Sequence, residues 1–161
     1  MEHPDLSDSD KEWLVYEKGE NLIYKNSSGV LAADTVISKN IRDVRIPSRK
    51  EGYCDEYYQE GIIEFSGDTK FKSLGICADY CPTLYINLEP YGYSHSHFGL
   101  RSGDSTQNQV FINNQYYDSV YVVTIDSSKI DDNYPWKLYF NKQKGILKFE
   151  EKSGETWERN N

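Results

Sequence analysis

The stretch over residues 110–126, VFINNQYYDSVYVVTID, limits this chain's choices more than any other. Asn113 and Asn114 form a pair that tolerates the positive φ angles of a two-residue hairpin turn. Beyond that turn, Val120, Val122 and Thr124 fall on one face of an extended strand and Tyr121, Val123 and Ile125 on the other. A strand apolar on both faces needs cover on both. The spacing therefore predicts a central strand, the spine of an all-β domain, with shorter one-sided strands laid beside it.

The rest of the chain supplies such strands. EWLVY and NLIYKN are apolar runs parted by Lys18-Gly19-Glu20, and Ser9 and Glu12 have capping-box spacing, enough for one helical turn before Trp13. Residues 35–46 continue as strand until Pro47-Ser48 breaks them. YYQEGIIEFSG and TKFKSLGICADY read as a long hairpin around Gly67-Asp68, and TLYINLEP and YSHSHFGL as another around Pro90-Tyr91-Gly92. Residues 101–108 and 127–135 read as surface loops. WKLYFNK, GILKFEE and ETWER form a closing meander with turns at Lys144-Gly145 and Ser153-Gly154. The meander's apolar side chains, Trp136, Tyr139, Ile146, Leu147 and Phe149, are expected to share one core with residues 120–125.

About ten strands at this spacing, with no long helix, predict an all-β fold: a predominantly antiparallel meander forming a barrel-like or two-layer sandwich domain. Residues 1–10 are polar and acidic and are expected as a flexible N-terminal arm, with residues 11–161 a single all-β domain. The length of 161 residues suits one core. The 14 tyrosines favour pleated, half-exposed surfaces, since each carries an apolar ring with a polar tip.

A net charge of −8 argues against a partner held by its phosphates, since nucleic acid and anionic lipid demand clustered Lys and Arg. The basic residues between Lys39 and Lys50 are interrupted by Asp43 and read as a solvated strand face. No apolar run approaches the ~20 residues of a membrane helix.

Several features of the C-terminal half carry a family likeness. Tyr117 and Val120-Tyr121-Val122 after a short polar turn, the strand with Tyr139, the turn residue Gly145, the strand over residues 146–149, and the closing Gly154 and Trp157 together resemble small exported lipoproteins of the Bacteroidetes type. EKGENLIYKNSSG resembles their first strand pair. The resemblance implies a periplasmic or outer-membrane surface location, with membrane attachment only through a lipid anchor on a segment outside this sequence.

Few residues suggest chemistry. His95 and His97 lie two apart, so on a strand both imidazoles project from one face, a spacing able to hold a divalent metal if another part of the fold, Glu89 for example, supplies further ligands. Exposed strand histidines are the plainer reading. Ser94 and Ser96 beside them lack a nucleophile elbow. Cys77 and Cys81 have neither CxxC spacing nor a second pair. In an exported chain, one disulfide among three cysteines is expected. Pairing Ser66 with Thr69 across the Gly67-Asp68 turn sets Cys54 opposite Cys81, the expected bridge, and Cys77 opposite Tyr58, whereas Cys77 and Cys81 would stand about 13 Å apart on a continuous strand and could bridge only through a local turn at Ala78-Asp79-Tyr80. No phosphate loop, HExxH or GxSxG occurs, and no cofactor is called for. The expectation is a non-catalytic exported β domain that binds a glycan, lipid or protein through a barrel mouth or an aromatic patch. The alternative is a metal-assisted hydrolase using His95 and His97.

Overall fold

The computed structural model describes residues 5–46, 56–78, 83–88, 97–101, 104–126, 128 and 130–160. Within them lie one four-residue helix, α1 (Asp8–Lys11), and twelve strands. These are β1 (Asn21–Asn26), β2 (Leu31–Ile46), β3 (Glu56–Gly67), β4 (Phe71–Cys77), β5 (Thr83–Leu88), β6 (His97–Arg101), β7 (Val110–Ile112), β8 (Gln115–Tyr117), β9 (Val120–Thr124), β10 (Pro135–Asn141), β11 (Gly145–Glu151) and β12 (Thr156–Arg159).

Ten strands form one antiparallel sheet in the order β6-β5-β4-β3-β2-β1-β12-β11-β10-β9, and β7 and β8 form a separate hairpin. Neighbours in the sheet are neighbours in the chain with one exception: β12 pairs with β1, Lys25 opposite Glu158, joining the two ends of the chain. The outer strands β6 and β9 lie side by side, so the sheet curls into a nearly closed barrel. Curling hides most of the main-chain edge that an open sheet would present.

Alternation decides the interior. Leu22 and Tyr24, Ile63 and Phe65, Ile86 and Leu88, and Leu138 and Phe140 point inward from their strands and are almost fully buried. Each such side chain contributes roughly 1.5–3 kcal/mol by leaving water. The barrel is therefore filled with aromatic and branched side chains. At one end it is stoppered by the N-terminal segment: Trp13 stacks at 5.9 Å from Phe140, Tyr16 meets Phe65 edge-on, and Leu6 and Leu14 lie over Gly61, where a Cβ would collide with Leu14.

Four expectations need correction. The 120–124 strand is the edge strand β9, and its two-sided apolarity has another cause. Tyr121 and Val123 face the barrel core, while Val120 and Val122 face a second cluster outside the barrel, under the β7–β8 hairpin, with Ile112, Val110 and Tyr117. Leu147 and Tyr139 join that outer cluster, so the closing meander divides its apolar residues between two cores. Packing in the N-terminal segment begins at Leu6, 2% exposed, whose N–H donates to Gln59 Oε1, and the capping box is Ser7 with Asp10, two residues before the pair expected. Finally, the loop before β10 buries Ile130 and Tyr134 at the other end of the barrel.

The turn after β3 also moves. Asp34 of β2 accepts the Thr69 N–H and hydroxyl, and the Asp68 N–H donates to Ala33. These bonds keep Gly67 in β3 opposite Asp34 and shift the β3–β4 ladder by two residues, so that Cys77 stands opposite Glu60 instead of Tyr58.

Candidate functional site

At the stoppered end, the N-terminal segment, the β8–β9 turn and the β10–β11 turn enclose an open groove of about 1000 Å³. Its walls come from short, well-held pieces of chain. Asn113 (φ 45°) and Asn114 (φ 62°) form the hairpin turn and bring β7 back as β8, placing Gln115, Tyr116 and Tyr117 on one wall. Ser119 (φ 55°) then turns the chain into β9, and Tyr121 follows below. Residues 142–144 form the facing wall, their geometry fixed by Asn141: its side-chain oxygen accepts the N–H groups of Gln143 and Lys144, and its Nδ2 donates to the Asp118 carbonyl, tying one wall to the other.

The aromatic side chains are graded by depth. Tyr121 is 8% exposed and 5.1 Å from Trp13, and burial together with the nearby Asp104 carboxylate pushes its hydroxyl above the ordinary tyrosine range. Tyr116 stands at the rim, 69% exposed, with its ring 4.9 Å from that of its cross-strand partner Phe111. Lys142 Nζ lies 4.1 Å above the Trp13 ring, a cation–π contact that restrains a long side chain. The lining carries both signs of charge, Lys11, Lys142 and Lys144 with Glu12, Glu17 and Asp118, and Glu17 is paired with Lys39 at 2.5 Å. Among the described residues, the side chains of Tyr116, Gln143 and Lys144 have no hydrogen-bond partner. They are the donors and acceptors that a ligand would meet.

A polar cluster also occupies the outer surface of β2 to β5. Glu60, 8% exposed, accepts from Arg42 at 2.8 Å and from the Tyr85 hydroxyl, and Tyr58 and Cys77 stand close by. The Tyr85 ring lies against Gly75, where any Cβ would meet it. Burial and the Glu60 hydrogen bond hold its hydroxyl far above the ordinary tyrosine range. The cluster holds an ion pair and a capped tyrosine in place.

Most of the residues singled out by sequence for chemistry fall outside the described residues. His95, Ser94, Ser96 and the side chain of His97 lie outside the described residues, and the His97 backbone opens β6 opposite Asn87. Cys54 and Cys81 lie outside them too, and the register on which their pairing was expected is the one displaced by two residues. Among the described residues no three His, Cys, Asp or Glu side chains converge. The groove itself escaped sequence reading because it is built from turns. Its one legible signal is the run of Tyr116, Tyr117 and Tyr121 around a hairpin, a density of aromatic residues beyond what the outer cluster needs. Comparison with protein-family models, curated proteins and solved structures returns no match.

Proposed function

We propose that the chain is a non-catalytic binding module whose ligand lies in the groove between the N-terminal segment and the β8–β9 and β10–β11 turns, and that it works outside the cytosol, at the periplasm or the outer-membrane surface. The observation that carries the binding reading is the pairing of a filled barrel with an open groove at its end. The interior packs Tyr16, Tyr24 and Phe140 and is closed to an enclosed ligand, whereas the groove presents aromatic and hydrogen-bonding side chains on turns held by Asn141. Rigid scaffolds that carry adaptable loops at one end are a common way to build a recognition site.

Amide chemical-shift mapping tests the site. Neutral oligosaccharides, phospholipid vesicles and peptides are titrated separately, and the ligand that binds is expected to move the amides of Tyr116, Ser119, Lys142 and Gln143. Shifts confined to another face would overturn the assignment. The compartment is tested by fractionating cells that make the protein natively, where recovery with the cytosol would overturn the export reading.

A further inference from the structure

We infer that the ligand of this groove is a short, uncharged oligosaccharide, an inference that rests on the binding reading above. The lining excludes the other classes in turn. An acyl chain needs walls that are mainly apolar. Here the aliphatic lining residues are Leu14 and Val15, and Leu14 is 4% exposed. A polyanion needs a cationic track. The three lysines are matched by three carboxylates, and the chain as a whole carries −8.

A peptide is the nearer rival, because β8 belongs to a two-stranded sheet and its second edge has no strand partner among the described residues. That edge is three residues long. It faces away from β7 only at Tyr116, since Gln115 and Tyr117 form the hydrogen-bonded pairs of a two-residue hairpin. Asp118, the next residue, gives its carbonyl to Asn141. One residue of main-chain pairing is a poor basis for strand addition, which draws its affinity from a run of such bonds.

A sugar ring matches what remains. Its axial C–H face is apolar and suits a flat aromatic ring, and its equatorial hydroxyls both donate and accept. Tyr116 offers such a ring, and its contact with the tilted Phe111 ring at 4.9 Å restrains it so that less rotamer freedom is lost on binding. The Tyr116 hydroxyl, with the Gln143 amide and the Lys144 ammonium elsewhere on the lining, supplies partners of both kinds. An open groove of about 1000 Å³ accommodates several linked sugar units in place of one enclosed monosaccharide.

The test is titration calorimetry on the full chain with xylo-, cello-, manno-, malto- and chito-oligosaccharides, and with polygalacturonate, phosphatidylglycerol vesicles and a random peptide pool as comparators. One neutral series is expected to bind, and Tyr116→Ala to weaken it about tenfold, the loss of one stacking partner. Tyr116 and Phe111 are exposed, so Tyr116→Ala and Phe111→Ala should keep the wild-type melting temperature and report on binding alone. If none of the neutral series binds, the inference falls. If polygalacturonate, vesicles or peptides bind in its place and Tyr116→Ala abolishes that binding, the groove stands and the sugar class falls. If a sugar binds with no response to either variant, the groove reading falls with the inference.

Discussion

The Ile146 N–H donates to the Tyr16 hydroxyl across 130 residues of chain, inside a buried site. Gly145, at φ +79°, makes the contact possible, because a Cβ there would collide with the same hydroxyl. The first turn of the β10–β11 region and the N-terminal stopper are thus fitted to each other. Tyr16→Phe leaves the Ile146 N–H buried and unpaired and should cost about 1–3 kcal/mol in urea denaturation. Gly145→Ala should cost more, since it adds left-handed backbone strain to the collision. Equal stability of Tyr16→Phe and wild type would sink the assignment.

Tyr16 also sets a limit at alkaline pH. Burial raises its hydroxyl to about 12, with the nearby Arg159 opposing. The folded state therefore keeps a proton that the unfolded chain gives up near the ordinary value of 10. Stability is full below pH 10 and is lost as pH rises from 10 through about 12, by roughly 3 kcal/mol for this one group. Tyr24, fully buried with an unpaired hydroxyl and pushed up for the same reason, adds to the loss. Denaturation midpoints measured from pH 8 to 12 should fall steeply in the wild type and less steeply in Tyr16→Phe. A flat profile to pH 12 would contradict it.

On the outer surface, Gly75 and Tyr85 are fitted in the same manner. Gly75→Ala should push the Tyr85 ring away, break its bond to Glu60 and cost about 1–3 kcal/mol. Released from burial, Tyr85 should ionise nearer the ordinary tyrosine range, so ultraviolet titration of the folded variant gains one tyrosine that the wild type keeps protonated. An unchanged titration curve would mean that the ring had not moved.

The all-β class and several of the turns were legible in sequence because their signals are local. Asn113-Asn114, Gly145 and Gly154 all carry the positive φ angles that their positions demand, and the closing meander pairs as its alternation requires. What stayed hidden depends on chain segments far apart. The β1–β12 pairing joins the two halves of the sheet with no motif of its own. A side chain on another strand, Asp34, holds Thr69 and so fixes the β3–β4 register, which the hairpin residues alone misplace by two. EWLVY looks like a strand because it is apolar. It serves as a stopper, its Trp13 and Tyr16 filling the barrel end with no strand partner. The groove combines these long-range placements, and so the sequence offers only its tyrosines.

The two-sided burial of β9 separates the effects of neighbouring core substitutions. Phe140, fully buried inside the barrel and stacked on Trp13, should cost about 3–5 kcal/mol when replaced by Ala, a large part of a typical domain's stability. Val122 is partly buried in the outer cluster, opposite Tyr139 and beneath the β7–β8 hairpin. A carboxylate there can turn toward water once the hairpin lifts, so Val122→Asp should destabilise by about 1–3 kcal/mol and act on that hairpin first. Native-state hydrogen exchange distinguishes the two cases. In Val122→Asp the amides of the Ile112 and Gln115 pair should exchange by a local opening while those of Leu138 and Phe149 keep the global free energy. In Phe140→Ala all of them should fall together. If Val122→Asp lowers the protection of Leu138 and Phe149 as much as that of Ile112, the outer cluster is part of one cooperative core and the division drawn between them is wrong.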